Sequence, residues 1–262
     1  MRHPMELEHC YGENVHIFND PLAHSLLAKL CSPKTKQPTI NRLVSTLYRQ
    51  MICAVITREM PTTQVEVPTR MVETNPEAIW RGKIIEPQLS VAVVCVARAG
   101  IFPSQVSYDF LNEILDPEYV RQDHMLMNRT TDEDGVVNGA AIHGAKIGGS
   151  VEGRTMLIPD PMGATGTTVL TLLDHYENQV PGTPSRVIAL NLIITPEYVR
   201  RIRERAPNVH IYSYRLDRGL SPQDVLDAIP GEHWDRERGL NDNGYIIPGG
   251  GGFGEIMNNA FV

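Results

Sequence analysis

The sequence predicts an α/β protein built on a twisted, mainly parallel sheet flanked by helices. Three short apolar runs, separated from one another by helical patterns, carry this prediction: 91–97 (VAVVCVA), 154–159 (RTMLIP) and 186–194 (RVIALNLII). Runs that are apolar on both faces are typical of parallel strands covered by helices on both sides. A fourth run at 208–214 (NVHIYSY) predicts another strand of the same sheet.

Length and composition narrow the class of protein. The chain has 262 residues, 42% hydrophobic and 21% charged, which fits one globular domain with elaborations. A net charge of −7 argues against a sequence-independent nucleic-acid binder. No window approaches the roughly 18 apolar residues of a membrane span. We therefore expect neither a nucleic-acid nor a membrane partner. The four cysteines lie far apart and form no CxxC, so reduced thiols and a cytoplasmic location are expected.

The N-terminal part of the chain predicts a helix followed by an exposed arm. Seven apolar residues recur at helical spacing within 39–56: Ile40, Leu43, Val44, Leu47, Met51, Ala54 and Val55. Thr39, which follows Pro38, is the candidate N-cap of this helix. Residues 62–71 (TTQVEVPTRM) alternate in polarity and predict a short edge strand or arm, because Pro68 lacks an N–H donor.

Helical segments and one long polar segment separate the predicted strands. The stripe of Val169, Leu172, Leu173 and Tyr176 predicts one helix. The next helix is predicted by the sequence 195–197, which supplies an N-cap threonine, a proline at N1 and an acid in the first turn. Residues 130–153 are polar and rich in glycine, which is typical of a long mobile loop or a hairpin.

The helix after residue 195 carries a group of arginines at positions 200, 201, 203 and 205. Acidic residues interrupt the group, so the pattern favours the solvated face of a helix. A small phosphate-binding patch is the alternative interpretation.

The most informative stretch is 156–173 (MLIPDPMGATGTTVLTLL), in which a strand, a loop of small residues and a helix follow one another. The backbone N–H groups at a helix N-terminus favour an anion such as phosphate. Asp160 follows the strand, and open α/β sheets keep their functional groups at the carboxyl ends of strands. The loop is neither a Walker A loop nor a GxGxxG motif. A tight turn with a capping threonine is the structural alternative, and the pattern alone leaves both open.

Residues 160–168 (DPMGATGTT) resemble the loop by which uracil phosphoribosyltransferases bind 5-phospho-α-D-ribose 1-diphosphate (PRPP), whose pattern is Asp-Pro-Met-Leu-Ala-Thr-Gly-Gly-Ser. Most other phosphoribosyltransferases have a second acid in place of Pro161. The likeness continues in the family's order at 19–30 (NDPLAHSLLAKL), 96–101 (VARAGI), 126–133 (LMNRTTDE), 143–149 (HGAKIGG) and 244–255 (GYIIPGGGGFGE). The resemblance therefore spans roughly residues 18 to 258 and implies a type I phosphoribosyltransferase fold, a single domain over 1–262. Its parts would be N-terminal helices and an arm (1–82), a core sheet (83–215) and a C-terminal hood carrying the base loop (216–262).

The resemblance also implies a role for individual residues. Asp160 would hydrogen-bond the ribose hydroxyls, and Arg98 and Arg129 would neutralise the departing pyrophosphate, so these three are the expected catalytic residues. The implied PRPP-binding residues are Arg98, Arg129, Asp160, Pro161, Met162, Gly163, Ala164, Thr165, Gly166, Thr167 and Thr168. Mg2+ would arrive with PRPP, since it favours phosphate oxygens. No metal held by the protein itself is expected, because the nine histidines show no HExxH or short His/Cys spacing.

The base loop departs most from the family pattern. The implied base-binding residues are Ile246, Gly251, Gly252 and Phe253. A leucine of the family is replaced by Gly250 and an aspartate by Gly252, while Phe253 replaces an alanine and adds bulk and a stacking face. Gly163 and Thr167 likewise replace a leucine and a glycine. These changes suit an altered base specificity.

The reaction implied by the resemblance is the transfer of a phosphoribosyl group from PRPP to uracil, which gives UMP and pyrophosphate. Transfer to a different ring, and a catalytically weak protein that senses a nucleobase or PRPP, remain as alternatives. The resemblance also implies a homodimer or a higher homo-oligomer.

Overall fold

The computed structural model describes residues 6–131 and 137–260. The strands are β1 (Val15–Ile17), β2 (Thr62–Pro68), β3 (Ile79–Ile85), β4 (Val91–Ala97), β5 (Val120–Thr131), β6 (Val137–Lys146), β7 (Thr155–Pro159), β8 (Met162–Gly163), β9 (Arg186–Ile194) and β10 (Val209–Leu216). The α-helices are α1 (Pro21–Leu30), α2 (Thr39–Glu59), α3 (Ile101–Asn112), α4 (Thr167–Gln179), α5 (Pro196–Arg205), α6 (Gln223–Leu226) and α7 (Phe253–Ile256). Short 3-10 helices lie at Arg70–Glu73 and Pro117–Tyr119.

The main sheet has eight strands and is mostly parallel, which confirms the predicted α/β class. The strand order is β1-β10-β9-β7-β4-β5-β6, and the short β8 pairs with β9. All of these pairs are parallel except β5 with β6, which is antiparallel. Because β1 pairs with β10, the sheet also takes in a piece of the N-terminal segment for which helices and an arm were predicted.

Two hydrophobic layers cover the sheet, one on each face. The side chains of β4 alternate between them: Val91 and Val93 join the layer that contains α1, α2 and α3, whereas Ala92 and Val94 join the layer that contains α4 and α5. Leu47 of α2 is completely buried in the first layer. Burial of such a leucine contributes roughly 1.5–3 kcal/mol. The predicted strands that are apolar on both faces therefore form the middle layer of the structure, between two layers of helices.

Helix α2 is longer than predicted and begins differently. It runs to Glu59, and the cap position is held by Pro38, which makes no side-chain capping hydrogen bond. The prediction that Thr39 is the N-cap is therefore wrong: Thr39 is the first residue of the helix. A proline at the cap is compatible with this start, because the first N–H groups of a helix have no intrahelical partner. By contrast, the predicted cap of α5 is confirmed, since Thr195 Oγ1 accepts from Tyr198 N–H at 3.0 Å.

The described residues include two antiparallel strand pairs. β2 and β3 form a separate antiparallel ribbon that corresponds to the predicted arm. In the region 130–153, the described residues belong to the antiparallel pair of β5 and β6 and to the segment that follows it, so the hairpin interpretation holds for them. Residues 132–136 lie outside the described residues. None of the described helices is long and apolar enough to cross a membrane.

Candidate active site

Asp160 lies at the carboxyl end of β7, near the middle of the sheet. Its backbone is fixed by β9: its N–H donates to Leu190 O at 3.0 Å, and its own carbonyl accepts from Asn191 Nδ2 at 2.6 Å. Burial, and second the negative charge of Asp160, raise the pKa of Tyr48 and Tyr198 well above the usual value. Both tyrosine hydroxyls therefore stay protonated.

The loop after Asp160 is held from the side by β9 and α5. Thr195 N–H donates to Gly163 O at 3.1 Å, and Thr195 Oγ1 donates to Ala164 O at 2.6 Å. Gly166 has a φ of +78° and forms the cap from which α4 begins at Thr167. The loop thus leads directly into a helix N-terminus, the geometry that favours a bound phosphate.

Tyr198 explains why a glycine is found at position 163. A Cβ at Gly163 would lie 2.9 Å from Ile194 Cγ2 and 3.1 Å from the ring of Tyr198. The ring is 1% exposed and belongs to the hydrophobic layer beneath the loop. The space that a side chain at 163 would need is therefore filled from α5, and the replacement of the family's leucine is a change of packing.

A buried ion pair anchors the base loop, here defined as residues 246–253. Asp217 is 2% exposed and accepts from Arg215 Nε at 2.7 Å and from Arg215 Nη2 at 2.8 Å. Asp217 also accepts from Gly249 N–H at 2.8 Å, and Arg215 donates to Gly249 O at 2.9 Å. The backbone of Gly249 is therefore fixed through both its donor and its acceptor.

The glycine run packs closely against its surroundings. A Cβ at Gly250 would lie 2.8 Å from both Cys31 Sγ and Phe253 Cε2, and 3.2 Å from Met162 Cε. These three side chains fill the space of the family's leucine, so its loss does not enlarge the pocket. The base loop therefore packs beside the loop of residues 160–168, to which Met162 belongs.

The expected stacking role of Phe253 is wrong in this structure. The side chain is 2% exposed and packs in the hydrophobic layer that contains α2, so neither face of its ring is open to a bound base. Phe253 instead supports the loop from below. At Gly252, an added Cβ would collide with Glu255 Oε2, so the carboxylate of Glu255 lies beside the position from which the family's aspartate is missing.

Of the two predicted arginines, the structure describes the side chain of Arg98. Arg98 follows β4, whose neighbour in the sheet is β7, and its Nη1 donates to Ala260 O at 3.0 Å. The peptide bond between Ala97 and Arg98 is cis. A Cβ at Gly254 would lie 3.5 Å from Arg98 Cβ, which places this residue beside α7. Arg129 lies in β5, but its side chain is outside what the structure describes.

Sequence reasoning missed Arg201, Arg215 and Asp217 as residues that shape the site. Arg201 was assigned to a solvated helix face, but it donates to Thr165 O at 3.4 Å and to Thr167 Oγ1. The side chain of Arg201 is exposed, as that assignment predicts, and its contacts with the loop are an addition to the assignment. The pairing of Arg215 with Asp217 had a weak sequence signal, since the two are two residues apart and so lie on one face of a strand.

A second polar cluster lies near the opposite ends of the strands, where Arg186 begins β9 and His210 follows the first residue of β10. Ligand atoms of His16, Glu59 and His210 lie within 4.8 Å of one another, a convergence that the sequence spacing did not reveal. Burial pushes the pKa of Glu59 upward, but the proximity of His210, whose Nδ1 lies 3.4 Å from Glu59 Oε1, and the hydrogen bond from Tyr212 outweigh it and hold the pKa at about 2. The ionised Glu59 is paired with Arg186.

His16 is 4% exposed and stays neutral at neutral pH. Burial, and second the charge of Arg58, lower its pKa from 6.5 to about 4, against the opposing effects of Glu6 and Glu59. His16 Nδ1 lies 3.2 Å from Glu6, which also pairs with Arg58. Each carboxylate of the cluster thus has an arginine partner, so this is a network of internal ion pairs whose negative charge is already neutralised.

Comparison with known proteins identifies the family of this chain. The family model of uracil phosphoribosyltransferase matches residues 17–236. The matched residues include Asp160, the loop after it and the N-terminus of α4, and the fold is that of a type I phosphoribosyltransferase. The chain belongs to the uracil phosphoribosyltransferase family.

The relatives are distant but cover almost the whole chain. A uracil phosphoribosyltransferase of Thermococcus sibiricus is 25% identical over 255 residues, which span 93% of this chain and 89% of that protein. One of Exiguobacterium sibiricum is 26% identical over 93% of this chain and 97% of that protein. The AQ2163 protein of Aquifex aeolicus is similar in structure, with a TM-score of 0.69 and 20% identity over 95% of this chain and 99% of that one. This last similarity supports the fold.

Proposed function

We propose that the protein transfers the phosphoribosyl group of PRPP to uracil, giving UMP and pyrophosphate. The observation that carries the proposal is the contact between the base loop and the loop that follows Asp160, where Met162 Cε lies 3.2 Å from the Cβ position of Gly250. A transfer reaction needs its donor and acceptor sites side by side, since catalysis rests mainly on positioning.

In the proposed mechanism, Asp160 accepts hydrogen bonds from the ribose hydroxyls while the 164–168 loop binds the 5-phosphate. The ribose carbon becomes positively charged as pyrophosphate leaves, and Arg98 and Arg129 stabilise the negative charge on the leaving group. Backbone N–H and C=O groups of the base loop orient the ring nitrogen that attacks, and the proton of this nitrogen passes to the departing pyrophosphate or to water as the new bond to the ribose carbon forms. No side chain forms a covalent bond with the substrate.

Mg2+ is the cofactor of the proposal, and the oxygen donors at the site suit it. Asp160 and Glu255 supply carboxylates, the hard ligands that Mg2+ prefers. The ion would be held mainly by the diphosphate of PRPP, and Asp160 and Glu255 could add carboxylate oxygens to its coordination. When bound, it neutralises charge on the diphosphate and so favours its departure.

The run of glycines in the base loop supports a second candidate, transfer to a different ring. A Cβ at Gly251 would meet nothing within 4 Å, so the loop is open at this position. A larger base could therefore approach the backbone here. A third possibility is a regulatory role, in which the protein binds PRPP and a base but does not catalyse the transfer.

Turnover of labelled uracil with PRPP and Mg2+ tests the proposal. We expect UMP from the parent protein and none from Asp160→Asn, with the circular dichroism spectrum unchanged, because the amide loses the charge that favours the cationic ribose. Asp174→Asn, an exposed change on α4, is the matched control and should retain full activity.

Three results would contradict parts of the proposal. Full turnover by Asp160→Asn would remove Asp160 from the mechanism. Pyrophosphate release with another base, but not with uracil, would favour the changed specificity. PRPP binding in titration calorimetry without release from any base of the panel would favour the regulatory alternative.

We also propose a cytoplasmic homodimer formed through the β2–β3 ribbon. Val67, Met71 and Trp80 of this ribbon and its connecting turn are 46–58% exposed. An isolated two-stranded ribbon is marginally stable, so a second copy is the partner that would cover these side chains. All four cysteines are free thiols, in line with a reducing compartment. Light scattering should give twice the mass of the chain, and Trp80→Glu should shift it to the monomer mass; a monomeric parent would overturn this part.

A further inference from the structure

Arg201 is the basic side chain of α5 that reaches the loop of residues 160–168, which is proposed above to bind PRPP. Its Nη1 donates to Thr165 O at 3.4 Å and to the hydroxyl of Thr167. Its Cβ also lies 3.5 Å from the Cβ position of Gly166. Arg201 therefore contacts three successive residues, from the end of the loop to the first residue of α4.

The other arginines of the helix have different surroundings. Arg200 and Arg203 line a surface cavity of about 440 Å3 together with Tyr11 and Trp234. Arg203 also donates to Pro207 O. The position of Arg201 on the loop is thus specific to this residue and does not follow from the charge of the helix as a whole.

The contacts of Thr167 orient its hydroxyl. Thr167 Oγ1 accepts from Arg201, and the hydroxyl of Thr165 lies 3.1 Å away and can donate to the same oxygen. Thr165 Oγ1 in turn accepts from Thr167 N–H at 3.4 Å. With both lone pairs of Thr167 Oγ1 engaged, its single proton remains to be donated to a group outside the loop.

The charge at the loop supports a role for a cation. Residues 160–168 contain one acid and no basic residue. A phosphate monoester carries a charge of about −1.5 to −2 at neutral pH, whereas a helix N-terminus supplies roughly half a positive charge. A guanidinium at the loop would offset most of the remaining negative charge, and its planar fork suits phosphate oxygens.

We propose that Arg201 and Thr167 together form part of the site for the 5-phosphate of PRPP, with Arg201 as a charge partner and as the residue that positions the Thr167 hydroxyl. This inference rests on the proposed function. It also gives a reason for Thr167, where the family pattern has a glycine: the hydroxyl and the arginine form a pair, and each depends on the other.

Titration calorimetry with ribose 5-phosphate and, separately, with pyrophosphate tests the proposal. Arg201→Gln should weaken ribose 5-phosphate binding about tenfold, the effect of losing one partly exposed charged hydrogen bond. Binding of pyrophosphate should stay unchanged, because that ligand occupies the Arg98 side of the site. Arg205→Gln removes the same charge one helical turn further along α5 and should behave like the parent.

A second variant separates positioning from charge. Thr167→Val should weaken ribose 5-phosphate binding, and adding Arg201→Gln to it should cost less than in the parent, since the pair is already broken. The inference would be overturned if Arg201→Gln bound ribose 5-phosphate as tightly as the parent, or if it lost affinity for ribose 5-phosphate and pyrophosphate equally. In either case, uracil turnover by the parent would still support the proposed function. If the parent bound neither ligand and formed no UMP, both would be wrong.

Discussion

Asp217→Asn tests whether the buried ion pair holds the base loop. Asp217 accepts three hydrogen bonds, two from Arg215 and one from Gly249 N–H, at 2.7–2.8 Å. An asparagine of the same shape has one acceptor oxygen and two N–H donors. Whichever way the amide turns, a donor faces a donor on one side.

The magnitude follows from burial. The side chain of Asp217 is 2% exposed and that of Arg215 is 25% exposed. Loss of a hydrogen bond to a charged group costs about 1.5–3 kcal/mol, and loss of the pair leaves Arg215 without its counter-charge. The larger cost of a fully buried unpaired charge does not apply, because the side chain of Arg215 is partly exposed to water. We therefore expect the free energy of unfolding to fall by about 2–3 kcal/mol.

Urea denaturation followed by circular dichroism gives the free energy of unfolding, and steady-state kinetics gives KM for uracil. Both should change, because the same carboxylate fixes Gly249. Asp224→Asn is the matched control: Asp224 also pairs with an arginine, Arg236, but the two side chains are 63% and 46% exposed. We expect no measurable change in either quantity for the control.

Two outcomes would refute the reasoning. If Asp217→Asn were as stable as the parent, the ion pair would contribute nothing to the fold. If it lost stability but kept the parent KM for uracil, the anchoring of Gly249 would be irrelevant to the base site.

Two further predictions concern the packing under the loop and the polar cluster. Gly163→Leu should cost about 1–3 kcal/mol by overpacking against Ile194 and Tyr198. Combined with Tyr198→Ala, the loss measured by urea denaturation should be smaller than the sum of the single losses, and additive losses would contradict the packing explanation. The folded pKa of His16, about 4, lies below its unfolded value of 6.5, so stability present above pH 6.5 should fall as the pH drops toward 4. The difference corresponds to roughly 3 kcal/mol, which we discount to about 2 for screening. His16→Gln should flatten this part of the stability-versus-pH curve, and an unchanged slope would exclude His16 as its source.

Strands and caps were predictable where the signal is local. The run 91–97 became β4 with the predicted bounds, and Thr195 caps α5 as predicted. These succeed because the burial of both faces of a central strand, and the hydrogen bond of a cap, depend on residues close in the sequence. The β1 strand escaped prediction, because three residues carry too little periodicity and its partner β10 is nearly 200 residues away.

In the candidate site, too, features set by neighbouring residues were predictable and features set by distant contacts were not. Asp160 and the loop after it were found from one contiguous stretch and its family resemblance. The contacts of Arg201 with Thr167, and of Gly250 with Cys31, join residues 34 and 219 positions apart, and a pattern in one sequence does not record such distances. Phe253 was misjudged for a related reason: exposure depends on the tertiary packing of the loop.

The burial of Phe253 holds the base loop in place, so that an open conformation of the loop is rarely populated. To swing away, the loop would have to withdraw this ring from the hydrophobic layer it shares with α2, at a cost of roughly 1.5–3 kcal/mol for the ring alone. That cost corresponds to an open population of about 8% down to below 1% at room temperature, if nothing else were lost. In the proposed reaction, base and nucleotide would therefore enter and leave past other segments, and this loop would set the shape of the base that is admitted.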